Sequence, residues 1–423
     1  MLKEEKISLL VLIIVVGFSI AVAYHYVMGY YLGRPWPANT FLHQPGGYFF
    51  DFKLIVRQSA ALDPFREDIG GFAGAPFGQF IGYLFSIIRP AFLRLFIFFG
   101  SFFAVFFLMA RHYLYGLKSK LTSYQLLAIF AIVFLTYPVL FAVDRANFDL
   151  LVVPCLFLFA FTYERQKYKA STVFLALAIT LKPFAAIFII VYVLDKKFKD
   201  GLLVIFNAVF LTVLSLSLFK DGLFVETQKY LHALFNNVDY LSAGNLQAFT
   251  SDLYALLTVG MKFVGDKFGT TMYLPAHPVA RIVYAAITAI VLIYFVIYLW
   301  EKPKPLWKVL AVLTILIILL PFNSFDYRLT YLFVPMLMYM ATNEKTRNDL
   351  LIVILWGLLL VPKNYYAISG EQNIGVVINP LILIGLLICI IPGAFSISGI
   401  NSTLRFIYRK SISIFPICNM KVL

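Results

Sequence analysis

One aspartate in a polar loop has the surroundings expected of a general base. Asp51 lies within YFFDFKLIVRQSAALDPF, shortly after the first long apolar segment. The stretch LIVRQSAAL that follows it has the periodicity of a helix lying along a membrane surface. A carboxylate held at that surface could accept a proton from a substrate that arrives in the membrane. The alternative is a solvated loop aspartate or a helix cap.

Arg145 and Asn147 lie in a second polar element, AVDRANFDLL, which joins two apolar segments with almost no connecting loop. Helices on both sides would hold these side chains at a membrane interface. Arginine suits phosphate binding because its guanidinium can donate two parallel hydrogen bonds to one anion. The alternative is an arginine that snorkels to the interface and pairs with Asp144 or Asp149.

Lys182 lies in the middle of the apolar stretch 171–194, and Pro183 follows it. A charged side chain at the centre of a bilayer costs roughly 2.5–3.5 kcal/mol even on insertion scales, so it requires a partner. The stretch itself contains no acidic residue. A substrate phosphate, a distant carboxylate or the carbonyls of a broken helix could supply that partner. The structural alternative is a lysine that only anchors this segment.

A third polar element, PFNSFDYRLTYLFVP, forms a tight turn between two apolar segments. Arg328 in this turn could complete a basic lining opposite Arg145, or it could pair locally with Asp326. Together the elements supply three candidate phosphate-binding cations, Arg145, Lys182 and Arg328, and three candidate substrate contacts, Asn147, Asp326 and Tyr327.

The composition indicates that membrane helices position these residues. Hydrophobic residues make up 61% of the 423 residues and charged residues only 13%, whereas a soluble domain has about 25% charged residues. The formal net charge of +14 does not indicate nucleic acid, because the basic residues cluster in short loops, as on the cytoplasmic side of membrane proteins. We predict one all-α polytopic membrane domain, 1–423, without a nucleic-acid partner.

The apolar segments and the distribution of Lys and Arg predict about ten transmembrane crossings, with both termini in the cytoplasm. Basic clusters flank both ends of 171–194, so we expect this segment to be a re-entrant hairpin of two half-helices. A single span kinked at the proline is the alternative. We then expect two external loops, 32–89 and 220–278, with interfacial helices, and a cytoplasmic tail, 395–423.

Several catalytic signatures are missing from the sequence. It contains no P-loop, no G-x-G-x-x-G and no D-x-D pair of the kind that holds a metal with a nucleotide sugar. The five histidines have no ligand spacing, and the cysteines suggest neither a disulfide framework nor a metal site. We therefore expect no metal and no cofactor. These absences argue against ATPases, metalloproteases and serine hydrolases.

Five short motifs, taken in order, resemble the GT-C membrane glycosyltransferases, and within them glycosyltransferase family 87, the polyprenol-phosphate-mannose-type mannosyltransferases. The motifs cover about residues 40–340 and are Asp51-Phe52 with Gln58-Ser59-Ala60-Ala61-Leu62-Asp63-Pro64-Phe65, Ala75-Pro76-Phe77, Arg145-Ala146-Asn147, Leu181-Lys182-Pro183-Phe184 and Ser324-Phe325-Asp326-Tyr327. One of them departs from the family pattern, because Phe77 stands where a Tyr-Pro-Pro run would have its second proline.

The resemblance implies an inverting transfer of a mannose-like hexose or a pentose from a polyprenyl-phosphate donor to an envelope glycan or glycolipid. It places the reaction at the external face of the plasma membrane and makes Asp51 the catalytic base. A phosphate leaving group needs cations but no acid, in contrast to an inverting glycosidase. The alternative is a transporter, flippase or polymerase of lipid-linked envelope glycans. A transporter would be expected to have repeated halves with matching broken helices, whereas one break is evident.

Overall fold

Helices form the regular secondary structure of the described chain, so the predicted all-α class is confirmed. The single exception among the described residues is an isolated bridge between Thr250 and Phe325. The computed structural model describes residues 1–42, 47–66, 74–242, 249–268, 278–301, 304–342, 348–365, 373–396 and 398–403. Parts of the two predicted external loops and most of the predicted tail lie outside these residues.

Within the part of the chain that the structure describes, four helices are long and apolar enough to cross a bilayer. We number the helices in chain order. The four are α1 (Lys3–Tyr26, continued by a π-helical turn to Tyr31), α4 (Ala91–Tyr115), α10 (Phe198–Ser217) and α13 (Pro278–Glu301). A fifth span results if α5 (Ser123–Phe134) and α6 (Tyr137–Arg145), which meet at a bend of 50°, cross together.

The other apolar helices are shorter than a straight crossing requires. They include α7 (Asp149–Glu164), α8 (Tyr168–Leu181), α14 (Leu306–Leu319), α15 (Phe333–Ala341), α16 (Asp349–Leu360) and α17 (Gly375–Ile390). The ten predicted crossings need some of these helices to cross as well, so that number stays a prediction.

The outward surface of the long helices is apolar, which suits lipid rather than water. On α10, Leu202 and Phe206 are each 65% exposed and Phe210 is 56% exposed. A contiguous exposed apolar surface of this kind is typical of a membrane or partner contact. The apolar exterior therefore agrees with a membrane protein.

The buried centre of the bundle is formed by α14 and α15. Side chains from Phe333 to Met340 are all buried, as are nearly all of those from Trp307 to Leu319. Helix α7 packs against α8 and α4, and α15 packs against both α4 and α7. These central helices provide the frame on which the polar elements are mounted.

The segment that contains Lys182 breaks where the sequence predicts. Helix α8 ends before Lys182, which is extended with φ −146° and ψ 109°. A 3₁₀ helix, Pro183–Phe188, then leads into α9, Ile189–Leu194. Proline causes the break because it lacks an N–H and disfavours the helical conformation in the residue before it. The Ser171 and Tyr192 hydroxyl oxygens lie 2.6 Å apart, so the two ends of the segment meet.

The predicted external loops contain α2 (Phe50–Ser59) and α3 (Pro76–Ile87), and then α11 (Gly222–Ser242) and α12 (Leu253–Phe268). Helix α2 lies close against α3 because Gly82 has no side chain; a Cβ there would lie 2.6 Å from the Ile55 Cγ2. The Ser59 hydroxyl also donates to the Gln79 Oε1 across 2.7 Å. Since α3 packs against α8 and α10, these contacts anchor α2 to the bundle.

One lysine joins the first predicted external loop to α11. The Lys229 Nζ lies 2.7 Å from Asp63 Oδ1, 2.5 Å from Asp221 Oδ2 and 3.1 Å from Glu226 Oε1. Burial lowers the pKa of Lys229, but its hydrogen bonds to the three carboxylates outweigh burial and hold the pKa above the ordinary value. Among the described residues these carboxylates are the group spaced to hold a metal ion, and the ammonium lies among them.

Replacing Lys229 with Met is expected to loosen this connection. Three clustered carboxylates would lose their shared counter-charge and repel one another. Hydrogen exchange in α11 should become at least several-fold faster, as measured by mass spectrometry on the protein in detergent. The exposed Lys262 on α12 provides the control, and Lys262→Met should leave exchange in α11 unchanged. Equal exchange in the Lys229 variant and the wild type would contradict the assigned role.

Candidate active site

The junction between α6 and α7 forms the centre of the site. Helix α6 ends at Arg145, and Ala146 turns the chain with a left-handed φ of 48°. This conformation costs an L-residue roughly 1–2 kcal/mol, and the buried junction maintains it. The turn releases Asn147 from both helices before α7 begins at Asp149. Arg145 and Asn147 are thereby directed toward the same neighbouring element.

That neighbouring element is the first turn of α2, which carries Asp51. The Phe49 backbone N–H donates to the Asp144 carbonyl across 2.7 Å and so holds the start of α2 against the end of α6. Arg145 Nη2 donates to Asp51 Oδ1. The Asn147 Nδ2 donates to Asp51 Oδ2 across 2.6 Å. Asp51 is 3% exposed, so a buried carboxylate has a charged partner on one oxygen and an amide on the other.

Lys182 has a carboxylate partner that comes from another helix. Its Nζ lies 3.1 Å from Asp149 Oδ2 at the start of α7. The Lys182 side chain is 20% exposed, whereas that of Asp149 is fully buried. Of the partners that the sequence left open, a distant carboxylate is therefore present. The cation, rather than its carboxylate, reaches the accessible surface.

Tyr327 lies where the cations converge. The Lys182 Nζ is 5.8 Å from the centre of the Tyr327 ring, within the usual range of a cation–π contact. Tyr327 also interacts electrostatically with Asp149, Arg328, Asp51 and Arg145. The first turn of α2, the α6–α7 junction, the α8 break and the turn before α15 therefore bring these four residues and Lys182 within electrostatic range of one tyrosine.

Arg328 is fixed from two sides beside the break in the Lys182 segment. Its guanidinium lies 4.0 Å from the centre of the Phe184 ring, and its Nη1 donates to the Asn323 carbonyl across 2.8 Å. The local pairing with Asp326 that the sequence allowed is not among the ion pairs of the described residues. The structure thus places Arg328 beside the break that carries Lys182, and a shared phosphate-binding role for Arg145, Lys182 and Arg328 stays a prediction.

Asp326, by contrast, faces a different polar cluster. Its Oδ2 accepts from the Tyr137 hydroxyl at 2.8 Å, and its Oδ1 accepts from the Ser251 hydroxyl at 2.5 Å and the Asn379 amide at 3.3 Å. Asp326 is 1% exposed, and burial raises its pKa despite these hydrogen bonds. Both oxygens of Asp326 are engaged inside the protein and hold neighbouring segments together, and its contact with a substrate stays a prediction.

Replacing Asp326 with Ala is accordingly expected to lower stability more than donor affinity. The change strands buried hydroxyl and amide donors, at about 2–4 kcal/mol in total. Thermal unfolding in detergent should show the loss, and the donor KM of the folded fraction should change little. A donor KM that rises steeply while the unfolding temperature stays constant would place Asp326 at the substrate instead.

Two residues of this region were not assigned a role from the sequence. Asp149 was considered only as a partner for Arg145, yet it contacts Lys182 and donates its backbone N–H to Asn147 Oδ1 across 3.0 Å. The Tyr331 hydroxyl donates to Asp149 Oδ1. No local pattern links Tyr331 to a residue that precedes it by 182 positions, so only the tertiary structure could reveal this contact.

A comparison with known protein families supports the family that the motifs resemble. The family model of glycosyltransferase family 87 matches residues 72–322, which is more than half of the chain. The protein therefore belongs to glycosyltransferase family 87. The matched range includes Arg145, Asn147 and Lys182, whereas Asp51 and Arg328 lie just outside it. No curated protein and no solved structure matches the chain.

Proposed function

We propose that the protein is an inverting glycosyltransferase that moves a mannose-like hexose or a pentose from a polyprenyl-phosphate donor to a glycan or glycolipid. Family membership supports the transferase class. The finer proposal is carried by one observation, the meeting of a buried carboxylate with three cations around Tyr327. Transfer from a phosphate leaving group requires a base and cations in one place.

In this mechanism Asp51 removes the proton from the acceptor hydroxyl as its oxygen attacks the anomeric carbon. The bond between that carbon and the donor phosphate oxygen breaks, and the electron pair leaves on polyprenyl phosphate. Attack from the face opposite the phosphate inverts the anomeric configuration. The leaving phosphate is stable as an anion, so the step needs no general acid and uses a single carboxylate.

The cations are proposed to hold the donor phosphate before transfer and the product phosphate after it. Lys182 and Arg145 expose 20% and 19% of their side chains, whereas their carboxylate partners are nearly or fully buried. The positive group of each pair is therefore the more accessible one, as contact with a donor phosphate requires. A guanidinium has five N–H donors, so Arg145 can bind Asp51 and a phosphate together. Such pre-placed charges stabilise the charge that develops on the leaving group.

The test is transfer by the purified protein in liposomes. Polyprenyl-phosphate mannose and polyprenyl-phosphate pentoses, labelled in the sugar, are offered with a membrane glycolipid extract as acceptor. The proposal predicts labelled glycolipid of inverted configuration and release of polyprenyl phosphate, without consumption of nucleotide sugars. Movement of the lipid-linked sugar across the bilayer without transfer would instead support the transporter alternative.

We further propose that the site faces outward from a plasma membrane, with both termini and residues 395–423 in the cytoplasm. The basic clusters at both ends of 171–194 support this orientation. The contact between Ser171 and Tyr192 supports a segment that enters the membrane and returns. On this topology the loops 32–89 and 220–278 lie outside, on the side where α2 presents Asp51.

Cysteines placed separately at Lys169 and Lys197 test this topology. Both positions should react with a membrane-impermeant thiol reagent only when the cytoplasmic side is accessible. The native cysteines, Cys155, Cys389 and Cys418, must first be replaced so that labelling reports one position. Labelling of position 197 from outside, with position 169 protected, would show that the segment crosses the membrane and would reverse the orientation of every helix after it.

A further inference from the structure

Asp149 connects the two halves of the candidate site although the proposed chemistry does not use it. Its backbone N–H donates to Asn147 Oδ1 across 3.0 Å. This bond sets the orientation of the Asn147 amide, because an amide that accepts through its oxygen must present its nitrogen elsewhere. The nitrogen then donates to Asp51 Oδ2 across 2.6 Å. The backbone of Asp149 thus fixes one of the two groups that hold Asp51.

The side chain of Asp149 serves the other half of the site. Its Oδ2 lies 3.1 Å from the Lys182 Nζ, and its side chain is fully buried. A buried carboxylate cannot itself contact a donor, but it can determine where the ammonium beside it lies. Lys182 has a long, flexible stem, and it follows a helix break that leaves its backbone extended. An anchor for the ammonium is therefore needed if Lys182 is to meet a phosphate in one position.

Tyr331 in turn orients the Asp149 carboxylate. Its hydroxyl donates to Asp149 Oδ1, which leaves Oδ2 toward Lys182. Tyr331 is 1% exposed and belongs to the 3₁₀ helix Asp326–Leu332, which also carries Tyr327 and Arg328. The hydroxyl therefore holds a buried carboxylate from the same rigid turn that supplies two other residues of the site.

We propose that Asp149 and Tyr331 are positioning residues of the donor site, which together hold the Lys182 ammonium against the donor phosphate and the Asn147 amide against the base. This inference rests on the proposed function. It adds two residues that touch neither the donor nor the reacting atoms and that act through Lys182 and Asn147.

The geometry predicts that the two defects do not add in a double-mutant cycle. Asp149→Asn removes the charge that anchors the Lys182 ammonium, and Tyr331 acts on Lys182 only through that carboxylate. Once Asp149 is replaced, Tyr331→Phe has nothing further to disturb. The double variant is therefore expected to bind phosphate no worse than Asp149→Asn alone. A role limited to packing would make the two defects add.

The experiment measures binding of farnesyl phosphate, a short polyprenyl phosphate, to the purified protein in detergent by calorimetry. Relative to wild type, Asp149→Asn should weaken binding at least tenfold and Tyr331→Phe two- to fivefold. The double variant should bind as weakly as Asp149→Asn alone, with no further loss. In a Lys182→Met background, Asp149→Asn should cause no further weakening. Tyr192→Phe, which removes a buried hydroxyl bonded to Ser171, provides the control and should bind like wild type.

Additive or worse binding by the double variant would overturn the proposal, as would unchanged binding by Asp149→Asn. If the Asp149 variants do not fold, the test rests on Tyr331→Phe alone. Farnesyl phosphate binding by that variant equal to wild type would then overturn the proposal. Failure of the wild type to bind farnesyl phosphate overturns it as well. Transfer is scored separately. If the binding defects are non-additive but the protein transfers no sugar, only the proposed function is refuted. If transfer occurs and depends on Asp51 but the binding defects add, only this inference is refuted.

Discussion

Replacing Asp51 with Asn is expected to lower sugar transfer by about 10²–10⁴-fold, the usual effect of losing a general base. Asparagine keeps the size of the side chain and an oxygen that can accept from Arg145 or Asn147, but it cannot take a proton from the acceptor. The protein should therefore still fold, insert and bind the donor. Initial rates in liposomes at saturating donor, together with the unfolding temperature, separate a chemical defect from a folding defect.

Asp63→Asn provides the matched control for this variant. Asp63 lies in the same predicted external loop and is also paired with a cation, Lys229, but that pair joins two loops. The Asp63→Asn variant should therefore weaken the connection between the loops and retain most of the transfer activity. Near-normal transfer by Asp51→Asn would remove Asp51 from the mechanism, and loss of transfer in Asp63→Asn, Asp144→Asn or Asp326→Asn would then identify the base.

Replacing Lys182 with Met is expected to raise the donor KM by about 30-fold or more, while the acceptor KM changes little. Methionine keeps the apolar stem and removes only the charge. Truncating one partner of a buried charge pair costs roughly 2–5 kcal/mol, and a donor phosphate would lose that interaction. The two KM values, measured by varying each substrate in turn, reveal whether the loss is specific to the donor.

Lys182→Met also leaves Asp149 buried without its cation, which can lower stability. The double variant Lys182→Met with Asp149→Asn removes both charges and keeps the prediction testable, because it should fold better and still bind the donor poorly.

Lys363→Met is the matched buried-lysine control. The Lys363 Nζ donates to the Val361 carbonyl across 2.8 Å, and burial lowers its pKa to about 7. Its loss should change stability without a donor-specific effect, and equal donor defects in both variants would contradict the assignment of Lys182.

Local sequence rules predicted the parts of the site that depend on neighbours in the chain. The proline after Lys182 was sufficient to predict the break, because proline restricts its own residue and the one before it. Arg145 and Asn147 are two residues apart in a short connection between helices, so a shared location was also predictable. Asp51 was expected beside an interfacial helix, and it lies in the first turn of α2.

Other parts of the site depend on which helices pack together, and no local rule supplies that information. The pair of Lys182 and Asp149 requires α7 to lie against α8. Asp326 and Tyr327 were predicted together as substrate contacts, yet the local geometry of the turn gives their side chains different neighbours. In a 3₁₀ helix, with three residues per turn, neighbouring side chains diverge by about 120°. Tyr327 therefore faces the cations while Asp326 faces Tyr137 and Ser251.

The number of crossings is uncertain from sequence for a related physical reason. Helices such as α14 and α15 are apolar because they are buried against other helices, and a buried helix can be shorter than the bilayer is thick. Composition alone cannot distinguish such a helix from a span. The long helices α1, α4, α10 and α13 are apolar on exposed surfaces as well, as expected of helices that contact lipid.

The central claim is that Asp51 and the cations form one site for a polyprenyl-phosphate donor. The most direct test is an experimental structure of the protein in lipid nanodiscs with farnesyl phosphate bound. We predict that the phosphate lies within hydrogen-bonding distance of the Lys182 Nζ and the Arg145 guanidinium, on the Tyr327 side of α2, with the prenyl chain running out between helices into lipid. A phosphate bound elsewhere, with Lys182 still closed against Asp149 and no path from Asp51 to the ligand, would contradict the claim.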